Sequence, residues 1–380
     1  MSSRNILKVK VISMKKNKAY KYRIYPNNEQ QILISKTFGC VRFIFNKMLE
    51  ERIAYYKETG LSYRNTPAKY KKDYEWLKEV DSLALANAQL HLDAAYKNFF
   101  RDKKAGFPKF KSKKKSSDSY TTNMVNNNIK LIGNKIYLPK LKGIRIRRHR
   151  EIPDGHKIKS VTVSRTPADK YYVSILCEYE AEVTQHKGTD YLGLDYAMNG
   201  LYAASNNTRC DYPGFYRKLE SKLHREQRKL SKMIKGSNNY RKQRIRVCKV
   251  HEKISNCRKD FLHKASYQIA NDADGVCVED LNMQAMSKSM NFGKSVHDNG
   301  YGMFLTLLSY KLEEKGKQLI RIDKFYPSSK TCSCCGYVHK ELQLSNRIYE
   351  CPQCGMKIDR DYNASINIQR EGMRLAGIYK

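Results

Sequence analysis

Residues 18–26, KAYKYRIYP, alternate aromatic or aliphatic side chains with basic ones and stop at a proline, a period of two that predicts a strand. The period then changes. From Glu29, the apolar residues Ile32, Phe38, Val41, Phe45 and Leu49 recur at helical spacing, and Asp81 to Phe100 does the same through Leu85, Leu92 and Phe99. Such stripes predict helices packed on a core. Gly, Pro and many lysines break the periodicity over 101–117, as expected of a basic linker. From about 118 to 180 short alternating runs return, among them Ile136/Leu138, Ile144/Ile146, Val161/Val163 and Tyr171/Val173/Ile175, with Gly, Asn, Pro and Asp between them. They predict a small β-rich unit, read as a barrel shared with the first strand.

The second half has a different character. DYLGLDYAMNGLYAAS at 190–205 reads as a strand, an Asn199-Gly200 turn and a second strand. A long basic helical stretch covers 216–272, followed by GVCVEDL as a buried strand, YGMFLTLLSYKLEEKG as a helix and KQLIRIDKFYP as a further strand. This order is α/β, and no internal repeat is evident.

Charge narrows the function. The 73 Lys and Arg against 37 Asp and Glu leave a formal +36 over 380 residues, a surface that attracts polyanions. Basic residues run along nearly the whole chain, and no apolar run approaches the roughly 18 to 20 residues of a membrane span. Nucleic acid is the expected partner, not membrane. The opening MSSRNILKVKVIS is too polar for a secretory signal, and Met14 reads as the usual start of the folded region, with 1–13 an extension. Six of the eleven cysteines are scattered singly, as in a reducing cytoplasm, and Cys334 lies within the C-terminal cluster.

The other four are placed differently. Cys332, Cys335, Cys351 and Cys354 form two C-x-x-C knuckles with fifteen residues between them. Zinc takes four thiolates in a closed tetrahedron, which makes a structural site. Gly336 and Gly355 allow the turn after each knuckle, and Cys334 is a bystander. A redox pair or an iron–sulfur site would use the same residues, but two knuckles at ribbon spacing in a basic protein favour zinc. Three acids also stand in unusual settings. Asp195 closes the apolar run YLGLD, Glu279 sits in GVCVED, and Asp361 opens the helix-like DRDYNASINI. A carboxylate at such a strand end is costly to desolvate without a partner.

Together, GLDYAMNGLY, VCVEDLNM, FGKSVHDNGYGMF, FYPSSKTCSCCG and YECPQCG followed by DRDYNASINI resemble the TnpB family, transposon-encoded relatives of type V CRISPR effectors. KAYKYRIYPNNEQQ, GFPKFKSK and SRTPADKYYVSI resemble its amino-terminal part. The resemblance covers nearly everything from Met14 onward. It implies a multidomain α/β plus β-barrel fold: a wedge-like barrel over 1–26 and 118–185, a helical recognition domain and basic linker over 27–117, a RuvC-like (RNase H-like) nuclease domain over 186–331 and 355–380, and a zinc ribbon over 332–354. The family's catalytic acids fall on Asp195, Glu279 and Asp361, with Asp359 a helix cap and Asp280 facing the other way along its strand. Hard oxygen ligands suit magnesium, and two ions roughly 3.5 to 4 Å apart can activate a water and stabilise the leaving 3′ oxygen. The implied activity is RNA-guided cleavage of double-stranded target DNA beside a short adjacent motif. The guide RNA comes from the transposon end, and the protein works in the bacterial cytoplasm at the nucleoid. The long basic helices of 216–272 and the 101–117 linker are the expected backbone contacts.

Three other readings compete. A guide-dependent repressor derived from TnpB should lack one of the three acids, and none is missing. A compact type V CRISPR effector would be biochemically similar but usually longer. A strand-joining transposase needs a Tyr or Ser recombinase constellation, and none is recognisable.

Overall fold

The computed structural model describes residues 11–102, 104–114, 117–184, 186, 188–289, 293–343 and 345–378. Residues 14–181 form one compact unit and 182–380 belong to a second.

The first unit joins a seven-stranded sheet to helices. Its strands are β1 (Val11–Tyr25), β2 (Asp118–Asn123), β3 (Lys130–Ile132), β4 (Lys135–Leu138), β5 (Leu141–Arg147), β6 (Lys157–Arg165) and β7 (Tyr171–Thr184), in the order β2-β6-β7-β1-β5-β4-β3. The amino-terminal strand thus sits amid strands that follow it by a hundred residues. It begins at Val11, three residues ahead of Met14, the expected start of the fold; residues 1–10 of that extension lie outside the described residues. Helix α1 (Asn28–Thr59) opens on a capping box between Asn27 and Gln30 and ends at Gly60, whose φ of 71° is left-handed. α2 (Pro67–Asp73) and α3 (Ser82–Arg101) follow, the latter capped by Asp81.

Phe38, Val41, Phe45 and Leu49 of α1 and Leu85 and Leu92 of α3 share one core with Tyr22, Ile144, Val163 and Val173 of the sheet. Ile32 does not join them and is 59% exposed. The buried face begins at Ile34, and two residues of helix turn the side chain about 200° away from it. Gly39, in the middle of α1, has open space where a Cβ would stand. Gly39→Ala is therefore expected to raise stability by about 0.5–1 kcal/mol through helix propensity, read as a higher melting temperature.

The second unit has a five-stranded sheet in the order β10-β9-β8-β11-β12. β8 (Tyr191–Tyr196), β9 (Tyr202–Ala204) and β10 (Arg209–Cys210) are antiparallel neighbours; β11 (Gly275–Glu279) and β12 (Gln318–Ile322) continue the sheet in parallel with β8. Gly200 N–H donates to the Ala197 carbonyl at 3.2 Å, closing the turn expected at Asn199-Gly200. α4 (Phe215–Ser231) and α5 (Asn238–Asp272) meet through Leu223, Val247, Val250 and Ile254. Lys218, Lys222, Arg225, Lys242, Arg244 and Lys249 on these helices are exposed. Short helices α6 (Met283–Ser289) and α7 (Gly293–Asn299) precede α8 (Tyr301–Glu314). A small hairpin, β13 (Ile348–Glu350) and β14 (Lys357–Asp359), leads into α9 (Arg360–Leu375).

The sheet is covered on both faces. Leu194, Val276 and Val278 pack with Leu262 of α5 and Phe304 and Leu308 of α8, whereas Tyr191, Cys277 and Ile322 pack with Ile368 of α9. Strands buried on both sides read as continuous apolar runs, which is why YLGL and GVCV stand out in the sequence. No helix among the described residues is long and apolar enough to cross a membrane.

Candidate active site and metal centre

Parallel pairing brings two of the three acids together. The register Cys277↔Gly193 and Val278↔Leu194 makes Asp195 and Glu279 the next residues of neighbouring strands, at their carboxyl ends. Such ends of open α/β sheets are where ligands bind. Side chains alternate along a strand, so Asp195 shares its face with Gly193, and Glu279 with Cys277. That face belongs to α9. A Cβ at Gly193 would stand 2.1 Å from the Ser365 carbonyl oxygen and 2.6 Å from the Gln369 nitrogen, and one at Gly372 would stand 2.2 Å from Cys277 Sγ. The missing side chains let the helix lie against the strands. Asp361 comes one turn before Ser365, about 6 Å along the axis, so the first turn of α9 carries the third acid toward the other two.

The electrostatics agree with this placement. Burial lifts the Asp195 carboxyl well above the usual carboxylate range, the Glu279 and Asp361 carboxylates lift it further, and Arg360 opposes them. Burial also raises Glu279, against a hydrogen bond from Ser328. A buried carboxyl whose charge is opposed by two neighbouring carboxylates calls for a cation. The acids are spaced more widely than the cysteines: among the described residues, Cys332, Cys335, Cys351 and Cys354 are the set whose ligand atoms all lie within 4.8 Å of one another.

Around the acids stand residues that no spacing rule singles out. Ser328 Oγ donates to Glu279 Oε1 at 2.5 Å, and the Ser328 carbonyl accepts from Asn367 of α9 at 2.8 Å. One serine therefore ties Glu279 to the helix of Asp361. Arg209 pairs with Asp359 and reaches to 3.9 Å from Asp361. Asp359 caps α9 by accepting from Tyr362 N–H at 3.0 Å, and Asp280 pairs with Arg321 at 3.1 Å. Both match their expected places outside the cluster.

The four cysteines form the second centre. Cys332 and Cys354 sulfurs are 3.6 Å apart, Cys335 and Cys351 sulfurs 3.5 Å. A disulfide is near 2.05 Å, whereas four sulfurs at about 2.3 Å from a tetrahedral zinc are about 3.8 Å apart. The knuckles share one design. Gly336 and Gly355 have φ of 79° and 72° and donate to the carbonyls of Cys332 and Cys351, each at 2.9 Å. Cys334 is exposed and outside the group. The first knuckle grips α9: Ser333 N–H donates to Asn363 Oδ1 at 2.9 Å, Asn363 and Asn367 both donate to the Thr331 carbonyl, and Arg370 donates to the Ser333 carbonyl.

Close contact at Gly193 gives a direct test of how α9 is seated. Gly193→Ala is expected to destabilise the second unit by about 1–3 kcal/mol, because the neighbour it meets is helix backbone that cannot rotate away. A fall in melting temperature, opposite in sign to that of Gly39→Ala, checks it; an unchanged transition would show that α9 does not lie on β8.

What these features define is a class: a multidomain α/β protein with acids gathered at the carboxyl ends of its central strands and a four-cysteine double knuckle bonded to the helix beside them. Residues 174–290 match a family model for the IS605 OrfB protein described as "Probable transposase", 301–368 match the Cas12f1-like TNB domain, and 14–60 match a "Helix-turn-helix domain". Over 14–60 the structure has β1 and the single long helix α1 rather than two helices joined by a turn. A "Putative RNA-guided DNA endonuclease" of Streptomyces pristinaespiralis is 36% identical over 366 residues, covering 94% of this chain and 89% of that protein. Its counterpart InsQ of Escherichia coli K12 is 31% identical over 388 residues, covering 94% and 93%. The protein of a Cas12f1–sgRNA–target DNA complex shares the fold, with a TM-score of 0.59 at 13% identity over 93% of this chain and 99% of that one. The chain belongs to the TnpB family of OrfB-type insertion-sequence proteins.

Proposed function

We propose that the protein is an RNA-guided DNA endonuclease of an insertion sequence, cutting target DNA with Asp195, Glu279 and Asp361. The observation that carries this is the convergence of the three acids at the carboxyl ends of β8 and β11 and the start of α9, from positions 84 and 82 residues apart in sequence. Long identity to relatives named RNA-guided DNA endonucleases supports the same reading. A repressor that binds without cutting would have no use for keeping a mutually repelling set intact.

The domain assignment follows. The five-stranded sheet, antiparallel through β10-β9-β8 and parallel through β11 and β12, supports a RuvC-like, RNase H-like nuclease domain over 186–331 and 355–380, with the zinc ribbon at 332–354. The sheet joined by β1 supports a wedge-like barrel over 1–26 and 118–185, with helical recognition elements between. Cys332, Cys335, Cys351 and Cys354 would hold one zinc, and the three acids would hold magnesium. Bound there, magnesium supplies an activated water and charge neutralisation at the leaving 3′ oxygen. The chain's own part is to fix the acids: the parallel register sets Asp195 against Glu279, Ser328 orients Glu279, and the start of α9 presents Asp361. Exposed lysines and arginines of α4, α5 and the 101–117 linker grip phosphates of the guide–target duplex.

Sequencing the RNA that copurifies, then offering DNA that matches it in magnesium, tests the reading. Guide-dependent double-strand cleavage is expected, and bound RNA with no cleavage of any matching target would overturn it. Without a matching guide, DNA binding should be weak and steeply salt-dependent, falling about a hundredfold or more between about 50 and 200 mM salt as counterions are released. A filter-binding series checks this; near-constant affinity would contradict a phosphate grip.

A further inference from the structure

Phe325 is 80% exposed, yet its loop is firmly built. Its N–H donates to the Asp323 carboxylate at 2.7 Å, Tyr326 N–H donates to the Asp323 carbonyl at 3.1 Å, and Ser328 N–H donates to the Tyr326 carbonyl at 2.8 Å. Tyr326, the next residue, turns onto the core of Tyr191, Cys277, Ile322 and Ile368. One ring is therefore driven inward while its neighbour is held out. The Lys324 ammonium lies 4.5 Å from the Phe325 ring centroid. Lys324 also lines, with Arg321, Asn282 and Gln284, a cavity of about 450 Å³ at the carboxyl ends of β11 and β12.

An exposed phenylalanine alone needs no explanation. This one is three residues from Ser328, whose hydroxyl holds Glu279, and three residues span at most roughly 10 Å. The Phe325 backbone thus lies within roughly 10 Å of Ser328, the residue that holds Glu279. A duplex hides the faces of its bases, whereas an unpaired base offers one to an aromatic ring and its phosphate to a nearby cation. Pairing of a guide with one DNA strand leaves the other unpaired. We infer that Phe325 is the stacking platform for one unpaired base of the displaced DNA strand and that Lys324 holds the adjoining phosphate, presenting the neighbouring phosphodiester to Asp195, Glu279 and Asp361. This rests on the RNA-guided nuclease reading and adds how the strand is seated.

The test crosses protein variants with a modified strand, using full-length guide-loaded protein. Displaced strands carry a single abasic nucleotide, moved in turn through each position around the cut. With wild type, one position is expected to slow cleavage about tenfold. Phe325→Ala should slow the intact strand by a similar factor and lose further sensitivity at that position, while Phe325→Trp keeps the wild-type rate. Target retention on a gel and melting temperature should not change, since the side chain is outside the core. Wild-type cleavage by Phe325→Ala, or multiplied slowing when variant and abasic site are combined, overturns the proposal while leaving the nuclease reading intact. If guided wild type cuts no DNA at all, the nuclease reading fails and this inference falls with it.

Discussion

Asp195→Ala, Glu279→Ala and Asp361→Ala are each expected to lower guided cleavage by roughly a thousandfold or more while leaving target retention at or slightly above the wild-type level. The separation follows from where the acids stand. They lie at the carboxyl edge of the five-stranded sheet and the first turn of α9, whereas the exposed basic residues of α4 and α5 are on other elements. Losing one acid removes an interaction the chemistry needs. It also removes a negative charge near DNA, which reduces repulsion. A readout independent of cleavage comes from the raised pKa of Asp195. Its ionised form is penalised by burial and by two neighbouring carboxylates, so neutral, isosteric Asp195→Asn should raise the melting temperature of magnesium-free protein and shrink the further rise that magnesium gives. Paired cleavage and gel assays on the three alanine variants, with melting curves for Asp195→Asn, decide it. One variant cutting at the wild-type rate removes that residue from the site; loss of binding in all three would make the acids structural.

The parts legible in the sequence share one property: each is encoded within a few residues of itself. Period-two runs mark β6 and β7, the Phe38–Leu49 stripe marks α1, the turn signal at Asn199-Gly200 separates β8 from β9, and C-x-x-C spacing marks the knuckles. Asp195 and Glu279 stand out because apolar strands rarely end in carboxylates. Contacts between distant segments leave no such trace. Ser328 is one serine of FYPSSK until the fold sets it against Glu279, and Arg209 is an ordinary basic residue until β10 brings it to Asp359 and Asp361. Gly193 looks like a weak point in a strand, yet it is where α9 approaches. Ile32 fails in the opposite sense: it is apolar and near the right helical period, but the buried arc of α1 starts two residues later.

Cys332→Ser and Cys351→Ser are expected to abolish zinc binding and to lower cleavage by at least about a hundredfold, whereas Cys334→Ser changes neither. The two knuckles' own core is Tyr349 with Cys332 and Cys351, flanked by Leu342, Met356 and Ile358, too little apolar surface to fold a segment of this size. Structural zinc supplies about 10–16 kcal/mol of apparent binding free energy in zinc-finger peptides, and that energy is folding energy. Without the metal, the first knuckle loses its shape, and with it the Thr331 carbonyl and the Ser333 N–H and carbonyl that hold Asn363, Asn367 and Arg370 of α9. Two acids are affected at once: Asp361 rides on that helix, and Ser328, which orients Glu279, is bonded to it through Asn367. The two larger hydrophobic cores, around α1 with the seven-stranded sheet and around α5 with α8, contain no residue of 332–354, so the rest of the protein should stay folded. Metal analysis of chelator-washed protein should return about one zinc per chain for wild type and Cys334→Ser. Limited proteolysis of the other two variants should cut within 332–354 while sparing residues 14–181. Zinc retained in Cys332→Ser, or full cleavage from a zinc-free chain, would refute a ribbon that braces the active site.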